Sequence, residues 1–307
     1  MSSALARPVP DHLKHLPRPM LWALAARLKT LSLSAAPVLA GSLLAAQQGR
    51  WRGDVLAAAL VASAAIQIAT NLWNDAADAE RGTDDEHRLG PPRMTANGLL
   101  EAPAVRRGAL AMGGIAGLAG LWLVLVGGPA ILILGLVSLA LGYLYSMGPR
   151  PLSATPLGEG LVIGFFGIAA VAGTAFLHGG SLSPGLFAQG FFLGLPAAAV
   201  LLVNNHRDRS TDARAGRRTL AIVLGEGASR LLYGTFMLAA TAGLAVLARP
   251  CAAGWAVFAA LALVAGGLSW RMAQLAISPA LNRLLAQTAL FQMALVAGLA
   301  LTRALCG

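Results

Sequence analysis

Charged residues, cysteines and aromatic residues are all scarce in this sequence. Only 12% of its 307 residues are charged and 57% are hydrophobic, with a mean hydropathy of +0.68, which excludes an ordinary soluble globular protein. The two cysteines, Cys251 and Cys306, show neither a pairing pattern nor metal-ligand spacing, so we expect no structural disulfide and no thiolate metal site. The sequence also lacks a Walker-type glycine-rich loop, which argues against a nucleoside triphosphate ligand.

Long hydrophobic runs occupy most of the chain. Nine of them approach the length of about 20 residues that a helix needs to cross a bilayer, and breakers such as Gly127-Gly128-Pro129 separate several of them. We therefore predict an all-α membrane protein with nine transmembrane helices, in which a cytoplasmic N-terminal arm (1–23) precedes a single transmembrane domain (24–307). The predicted spans are 24–47, 54–78, 104–126, 128–147, 158–178, 184–205, 227–248, 252–274 and 284–304.

Basic residues are distributed unevenly between the two sides of this layout. The N-terminal arm, the loops after the even-numbered spans and the ends of the spans next to them together hold 19 of the 23 lysines and arginines. The positive-inside rule places these segments on the cytoplasmic side of the membrane, which we expect to be a bacterial inner membrane. The net charge of +10 therefore favours lipid headgroups and an anionic substrate as partners over nucleic acid.

Acidic residues are concentrated at the ends of predicted spans two and six. Of thirteen acidic residues, eight lie between positions 71 and 86 or between 204 and 212. An ionised carboxylate near a bilayer costs several kcal/mol unless it is paired or bound to a cation. Both motifs contain Asn-xxx-Asp, about 133 residues apart, so we expect an ancestral duplication that brings them face to face. The first motif is Asn71-Leu-Trp-Asn74-Asp75-Ala-Ala-Asp78, and the second motif is Asn204-Asn205-His-Arg207-Asp208 followed by Asp212.

Helical geometry places the polar side chains of each motif on one face. The four polar residues of the first motif fall at i, i+3, i+4 and i+7, and three residues of the second motif share a face in the same way. Carboxylates and amide oxygens are the ligands that Mg²⁺ prefers, together with water and phosphate oxygens. An alternative is that the carboxylates are structural ion-pair partners of nearby arginines. The predicted Mg²⁺ ligands are Asp75, Asp78, Asp84, Asp208 and Asp212.

Arginines and lysines surround both acidic motifs. Arg207 lies inside the second motif, Arg88 follows the first, and Arg27 and Lys29 open the first predicted span. Metal-binding carboxylates within a ring of cationic side chains form the expected site for a diphosphate. At the mouth of a helical bundle in lipid, such a site predicts an isoprenyl diphosphate whose tail lies between helices.

On these motifs the sequence resembles the UbiA-type intramembrane aromatic prenyltransferases over nearly its whole length. The branch it is most similar to acts on 1,4-dihydroxy-2-naphthoate in menaquinone synthesis. In this sequence Leu28 replaces the proline of that branch's Arg-Pro-Lys-Thr-Leu segment, and Ala79 stands where the wider superfamily more often has an acidic residue. The matching segments are Arg27-Leu-Lys29-Thr30-Leu31, Asn74-Asp75-Ala-Ala-Asp78 through Gly82-Thr-Asp84 to Arg88, Tyr145-Ser-Met-Gly148-Pro149, and Asn204-Asn205-His-Arg207-Asp208 through Gly216.

The resemblance implies Mg²⁺-assisted ionisation of a polyprenyl diphosphate and attack on it by the naphthoate ring, which loses its carboxylate. Other aromatic acceptors, such as 4-hydroxybenzoate or homogentisate, stay open, and a secondary transporter is the alternative from another class. Tyr145 is either a diphosphate contact or an interfacial aromatic, and Glu159 is either an acceptor-binding residue or a helix N-terminal charge. The implied catalytic residues are Asp75, Asp78, Asp208 and Asp212; the implied substrate-binding residues are Arg27, Lys29, Asn71, Asn74, Arg88, Tyr145, Asn204, Asn205 and Arg207.

Overall fold

The computed structural model describes residues 11–81, 89–146 and 151–306, and every secondary-structure element in these ranges is helical. The prediction of an all-α protein is therefore confirmed. A π-helical stretch, Ile163–Ala169, joins α6 to α7. The helices are α1 (Asp11–Lys14), α2 (Arg18–Ala25), α3 (Leu31–Ala46), α4 (Gly53–Arg81), α5 (Ala102–Ser146), α6 (Gly158–Val162), α7 (Ala170–Leu177), α8 (Pro184–Arg207), α9 (Arg209–Arg214), α10 (Leu220–Ala248), α11 (Ala252–Gln274) and α12 (Leu281–Cys306).

Within the described ranges, eight helical segments are long and apolar enough to cross a membrane. The difference from nine predicted spans lies in α5, which contains both the third and the fourth. An unbroken helix of its 45 residues would extend about 68 Å, more than twice the thickness of the hydrocarbon core. Gly128, inside α5, has the non-helical angles φ 66° and ψ −156°. The predicted break at this position is present in the backbone, while the count of nine stays a prediction.

The N-terminal part differs from the predicted layout. The first span was expected to begin at residue 24, but α3 begins at Leu31. Arg27, between α2 and α3, adopts a left-handed conformation (φ 52°, ψ 50°) that interrupts the helix. Leu21 and Ala25 of α2 belong to a buried cluster with residues of α4 and α5. The predicted domain boundary at residue 23 thus lies inside a packed helix, and a separate N-terminal arm stays a prediction.

Helix α8 lies at the centre of the bundle, packed against α3, α10, α12 and the π-helical stretch. Glycines allow its closest approach. A Cβ atom at Gly167 would lie 2.4 Å from the carbonyl oxygen of Gly190, and one at Gly194 would lie 2.9 Å from the Cα of Gly167. Small residues permit such contacts where lipid supplies no hydrophobic force between helices. This contact fixes the register of α6 and the π-helical stretch along α8.

The expectation that the cysteines are unpaired is wrong. Cys251 and Cys306 form a disulfide, with their Cα atoms 5.6 Å apart. Cys251 precedes α11 and Cys306 ends α12, and the two helices pack against each other as a hairpin. The start of the first helix therefore meets the end of the second. The sequence gives no indication of this pairing, because the two cysteines are 55 residues apart. Only the packing of the two helices as a hairpin brings their Cβ atoms within bonding distance.

Candidate active site

The two acidic motifs end α4 and α8, and a side chain of α12 connects them. The side-chain amide of Asn282, in the first turn of α12, donates to the carbonyl oxygen of Leu89 at 2.9 Å. Its Oδ1 accepts a hydrogen bond from Arg207 of the second motif at 2.6 Å. Asn282 therefore joins the segment that follows the first motif to the second motif itself.

Arg207 is the central polar side chain of the second motif, with only 2% of its surface exposed. Its Nε and Nη2 donate to the two carboxylate oxygens of Asp208 at 2.8 and 2.5 Å, and Nη2 also donates to Oδ1 of Asn204 at 2.8 Å. With the bond to Asn282, these contacts use four of the five guanidinium N–H groups. A guanidinium held in this way fixes the geometry of its partners. A direct contact between Arg207 and a diphosphate stays a prediction.

Two side chains of the first motif hold neighbouring backbone segments. The buried Asp75 accepts the N–H of Met94 on Oδ1 at 3.1 Å, and on Oδ2 it accepts the N–H and hydroxyl of Thr95 at 2.9 and 2.6 Å. The amide of Asn71 donates to the carbonyl oxygen of Ala26 at 2.9 Å. These bonds satisfy backbone groups that burial would otherwise leave without a partner. Metal ligation by Asp75 stays a prediction.

Several predicted site residues lie outside the described part of the chain. These are Asp84, Arg88 and the side chain of Asp78, whereas Asn74 is described and half-buried. Among the side chains that are described, no three His, Cys, Asp or Glu residues form a candidate metal group. A Mg²⁺ site built from both motifs is therefore untested, because the side chains of two of its five predicted ligands, Asp78 and Asp84, lie outside the described part of the chain.

The predicted cationic residues before α3 lie at the break in the helix. Arg27 is half-buried, and its carbonyl oxygen accepts both the N–H and the hydroxyl of Thr30 at 2.8 Å. Lys29 is exposed. Because Asn71 bonds to the carbonyl oxygen of Ala26, the first motif is attached directly to this break. A non-glycine residue in a left-handed conformation costs about 1–3 kcal/mol, and such residues often lie at functional sites.

Asp212 lies in α9, one helical turn beyond Asp208. Its Oδ1 pairs with Nη1 of Arg217 at 3.3 Å. The backbone N–H of Arg218 donates to the carbonyl oxygen of Ala154 at 2.8 Å, which ties this segment to the connection after α5. Both carboxylates of the second motif therefore have arginine partners, as the ion-pair alternative predicts for them. Ion pairing leaves lone pairs on each carboxylate, so metal ligation by either stays a prediction.

Asn205 of the second motif faces a buried carboxylate on α6. Its amide donates to Oε1 of Glu159 at 2.9 Å, and Glu159 has only 1% of its surface exposed. Tyr145, at the end of α5, lies beside the same helical turn, because a Cβ atom at Gly158, next to Glu159, would be 3.9 Å from its hydroxyl oxygen. The position of Glu159 therefore connects the predicted contact Tyr145 with the second motif.

Asn282 and Thr95 belong to this region, although no sequence motif predicts them there. Asn282 belongs to no motif, and its only sequence signal is a polar side chain in the first turn of an apolar helix. Thr95 lies 20 residues after its partner Asp75, in a stretch without hydrophobic periodicity. Neither contact follows from spacing within one helix.

The model of the UbiA prenyltransferase family matches residues 34–299 of this chain. The 1,4-dihydroxy-2-naphthoate octaprenyltransferase of Mycobacterium tuberculosis is 36% identical over 254 residues, which cover 82% of this chain and 84% of the relative. The protein of the same name from Escherichia coli is 33% identical over 239 residues, covering 76% and 78%. More distant is the 2-carboxy-1,4-naphthoquinone phytyltransferase of Synechocystis, 28% identical over 67% of this chain and 66% of the relative.

Solved structures have the same fold. A UbiA homologue from Aeropyrum pernix K1 superposes with a TM-score of 0.66 at 19% identity, covering 90% of this chain and 98% of the other. A UbiA homologue from Archaeoglobus fulgidus bound to GPP and Mg²⁺ superposes with a TM-score of 0.61 at 12% identity, covering 90% and 99%. At these identities the similarity establishes the architecture alone.

Proposed function

Because this chain belongs to the UbiA prenyltransferase family, we propose that it transfers a polyprenyl group from a polyprenyl diphosphate to 1,4-dihydroxy-2-naphthoate. The acceptor loses its carboxylate, and the product is demethylmenaquinone, an intermediate of menaquinone synthesis. The observation that carries the proposal is the agreement among five relatives, 33–36% identical over 69–82% of this chain. All five are named 1,4-dihydroxy-2-naphthoate octaprenyltransferase.

Mg²⁺ is the proposed cofactor. Carboxylates are the ligands it prefers. Among the described residues, Oδ1 of Asp75 and both oxygens of Asp208 each accept one hydrogen bond, out of the two that a carboxylate oxygen can accept. The Archaeoglobus fulgidus homologue bound to GPP and Mg²⁺ supports the same choice. When bound, Mg²⁺ stabilises negative charge on the leaving diphosphate. The proposed ligands are Asp75, Asp78, Asp84, Asp208 and Asp212.

The residues of the chain itself position the substrates and exclude water. The guanidinium of Arg207 holds Asp208 and Asn204 and reduces the negative charge that an incoming diphosphate would meet. Lys29 is exposed at the break before α3, where an ammonium can reach a phosphate oxygen. The apolar helices keep water from the allylic cation. The proposed substrate-binding residues are Arg27, Lys29, Asn71, Asn74, Arg88, Tyr145, Asn204, Asn205 and Arg207.

The helix ends that carry the motifs are proposed to face the cytoplasm of a bacterial cell. The distribution of lysine and arginine supports this orientation. The disulfide gives independent support, because Cys306 lies at the other end of α12 from Asn282, about 36 Å along the helix. Disulfides persist in oxidising compartments such as the periplasm.

The test is an acceptor screen with purified protein in detergent, Mg²⁺ and one polyprenyl diphosphate. Products from 1,4-dihydroxy-2-naphthoate, 4-hydroxybenzoate and homogentisate are identified by mass, and release of diphosphate is followed in parallel. We expect prenylation of the naphthoate in preference to the other two. Preference for another acceptor would correct the substrate, and no diphosphate release with any acceptor would favour a transporter.

A further inference from the structure

Glu159 is a buried carboxylate with one oxygen left unused. Its Oε1 accepts the amide hydrogen of Asn205, but its Oε2 is buried and finds no hydrogen-bond partner among the described residues. A buried acceptor without a partner costs about 1–3 kcal/mol, and a buried carboxylate costs more. Such an oxygen in a native fold requires an explanation, for example a ligand that donates to it.

The surroundings of Glu159 limit what that ligand can be. Oε2 belongs to an anionic carboxylate, which can only accept hydrogen bonds. Its negative charge repels a diphosphate, and its lone pairs attract a hydroxyl group. Asn205, which fixes Oε1, lies next to Asn204, and Asn204 is bonded to Arg207. Tyr145 lies nearby, because a Cβ atom at Gly158 would be 3.9 Å from its hydroxyl oxygen. Glu159 is therefore joined to the second motif through Asn205, and the hydroxyl of Tyr145 lies beside the same helical turn.

The backbone holds Glu159 rigidly in this place. It lies in α6 just before the π-helical stretch Ile163–Ala169, and π-helical turns inside α-helices occur frequently at functional sites. The contact of Gly167 with Gly190 and Gly194 fixes this stretch along α8, the helix that carries Asn205. The distance between Glu159 and the second motif is thus set by helix packing.

We propose that Oε2 of Glu159 binds the aromatic acceptor by accepting a hydrogen bond from one of its ring hydroxyl groups. The inference rests on the proposed function. In 1,4-dihydroxy-2-naphthoate the hydroxyl next to the carboxylate bonds to that carboxylate internally, so the hydroxyl at position 4 is the free donor. The acceptor's own carboxylate points away from Glu159, because like charges repel. Glu159 therefore distinguishes acceptors by the placement of a hydroxyl relative to an acid group.

The test measures equilibrium binding of the acceptor by calorimetry in detergent, without prenyl diphosphate. Wild type and Glu159→Gln are each titrated with 1,4-dihydroxy-2-naphthoate and with 1-hydroxy-2-naphthoate, which lacks the hydroxyl at position 4. Loss of one hydrogen bond to a charged group corresponds to roughly 10- to 150-fold in Kd. We expect this loss for Glu159→Gln with 1,4-dihydroxy-2-naphthoate and also for wild type with 1-hydroxy-2-naphthoate. For Glu159→Gln with 1-hydroxy-2-naphthoate we expect little further loss, because the hydrogen bond is already absent. Glu101→Gln, an exposed carboxylate, is the matched control and should bind like wild type.

Steady-state kinetics separate this inference from the proposed function. In Glu159→Gln we expect the KM for the acceptor to rise while the KM for the prenyl diphosphate and the Mg²⁺ dependence stay unchanged. Suppose that wild type prenylates the naphthoate, and that removal of the hydroxyl at position 4 weakens acceptor binding as much in Glu159→Gln as in wild type. The inference then fails and the proposed function stands. If wild type does not prenylate the naphthoate at all, the proposed function fails. A weaker apparent Mg²⁺ affinity would instead make Glu159 a metal ligand and overturn the inference.

A second variant covers the case in which Glu159→Gln does not fold. A Cβ atom at Gly158 would lie 3.3 Å from Cδ2 of Leu201, whereas one at Gly160 would meet nothing within 4 Å. Gly158→Ala should therefore shift the adjacent Glu159 and weaken acceptor binding, while Gly160→Ala on the same helical turn should not. Equal acceptor affinities for the two variants would contradict the inference.

Discussion

Replacement of Arg207 should disturb both motifs together rather than weaken diphosphate binding alone. The guanidinium is buried and bonded to Asp208, Asn204 and Asn282. Arg207→Gln leaves the carboxylate of Asp208 without its cation, and breaking a buried pair in this way costs about 3–5 kcal/mol. Because the side chain of Asp208 is 22% exposed, we expect the lower end of this range. Arg207→Lys restores the charge but not the two parallel bonds, so it should recover only part of the loss.

The assay is thermal unfolding in detergent combined with KM values for both substrates. The matched control is Arg106→Gln, because Arg106 pairs with Glu80 at a site where both side chains are more than 40% exposed. Exposed pairs contribute about 0–1 kcal/mol, so this variant should unfold like wild type. Suppose that Arg207→Gln keeps the wild-type unfolding midpoint and raises only the KM for the prenyl diphosphate. That outcome would refute the positioning role and establish a direct contact instead.

Three further predictions concern other buried contacts. Asp75→Asn should abolish turnover and also lower stability by about 1–3 kcal/mol, because its amide N–H₂ would face the N–H of Thr95; an unchanged unfolding midpoint would contradict this. Cys251→Ser should lower the free energy of unfolding by about 4 kcal/mol, because the disulfide restricts a loop of 55 residues in the unfolded chain. A reductant should lower the unfolding midpoint of wild type but not that of the variant. Burial lowers the pKa of His178 below 6.5, and its neutral Nδ1 accepts the N–H of Arg52. Stability should therefore be complete above pH 6.5 and decrease as the pH falls through the folded pKa, and unfolding midpoints at pH 5 and 8 should differ less in His178→Gln.

Hydropathy and breaker residues were sufficient to predict most of the helical layout. The predicted span 252–274 coincides with α11, and the break at Gly128 is present inside α5. The first predicted span, 24–47, ran through the helix break at Arg27, because a left-handed residue carries no hydropathy signal. The disulfide was missed because it depends on two helices forming a hairpin, which local sequence patterns do not encode.

The candidate site could be located from the sequence but not assembled from it. Spacing placed Asn71 and Asp75 on one helix face, as the structure has them, and that face was expected to bind metal. In the structure both side chains bond to backbone groups of other segments. These partners lie 19 to 45 residues away along the chain, and only the packing of helices brings them together. Periodicity within one helix contains no information about such contacts.

The two motifs share a spacing but not an environment, and this difference bears on how the site handles charge. Asp75 accepts hydrogen bonds from neutral groups of Met94 and Thr95, whereas Asp208 is paired with a guanidinium. The negative charge of Asp208 is therefore partly neutralised by Arg207 before a diphosphate binds. The leading asparagines, however, act alike, because Asn71 bonds to the residue before Arg27 and Asn204 bonds to Arg207 itself. Each motif thus has an asparagine bonded to an arginine or to the residue before one, while the two carboxylates have different partners, and an ancestral duplication stays a prediction.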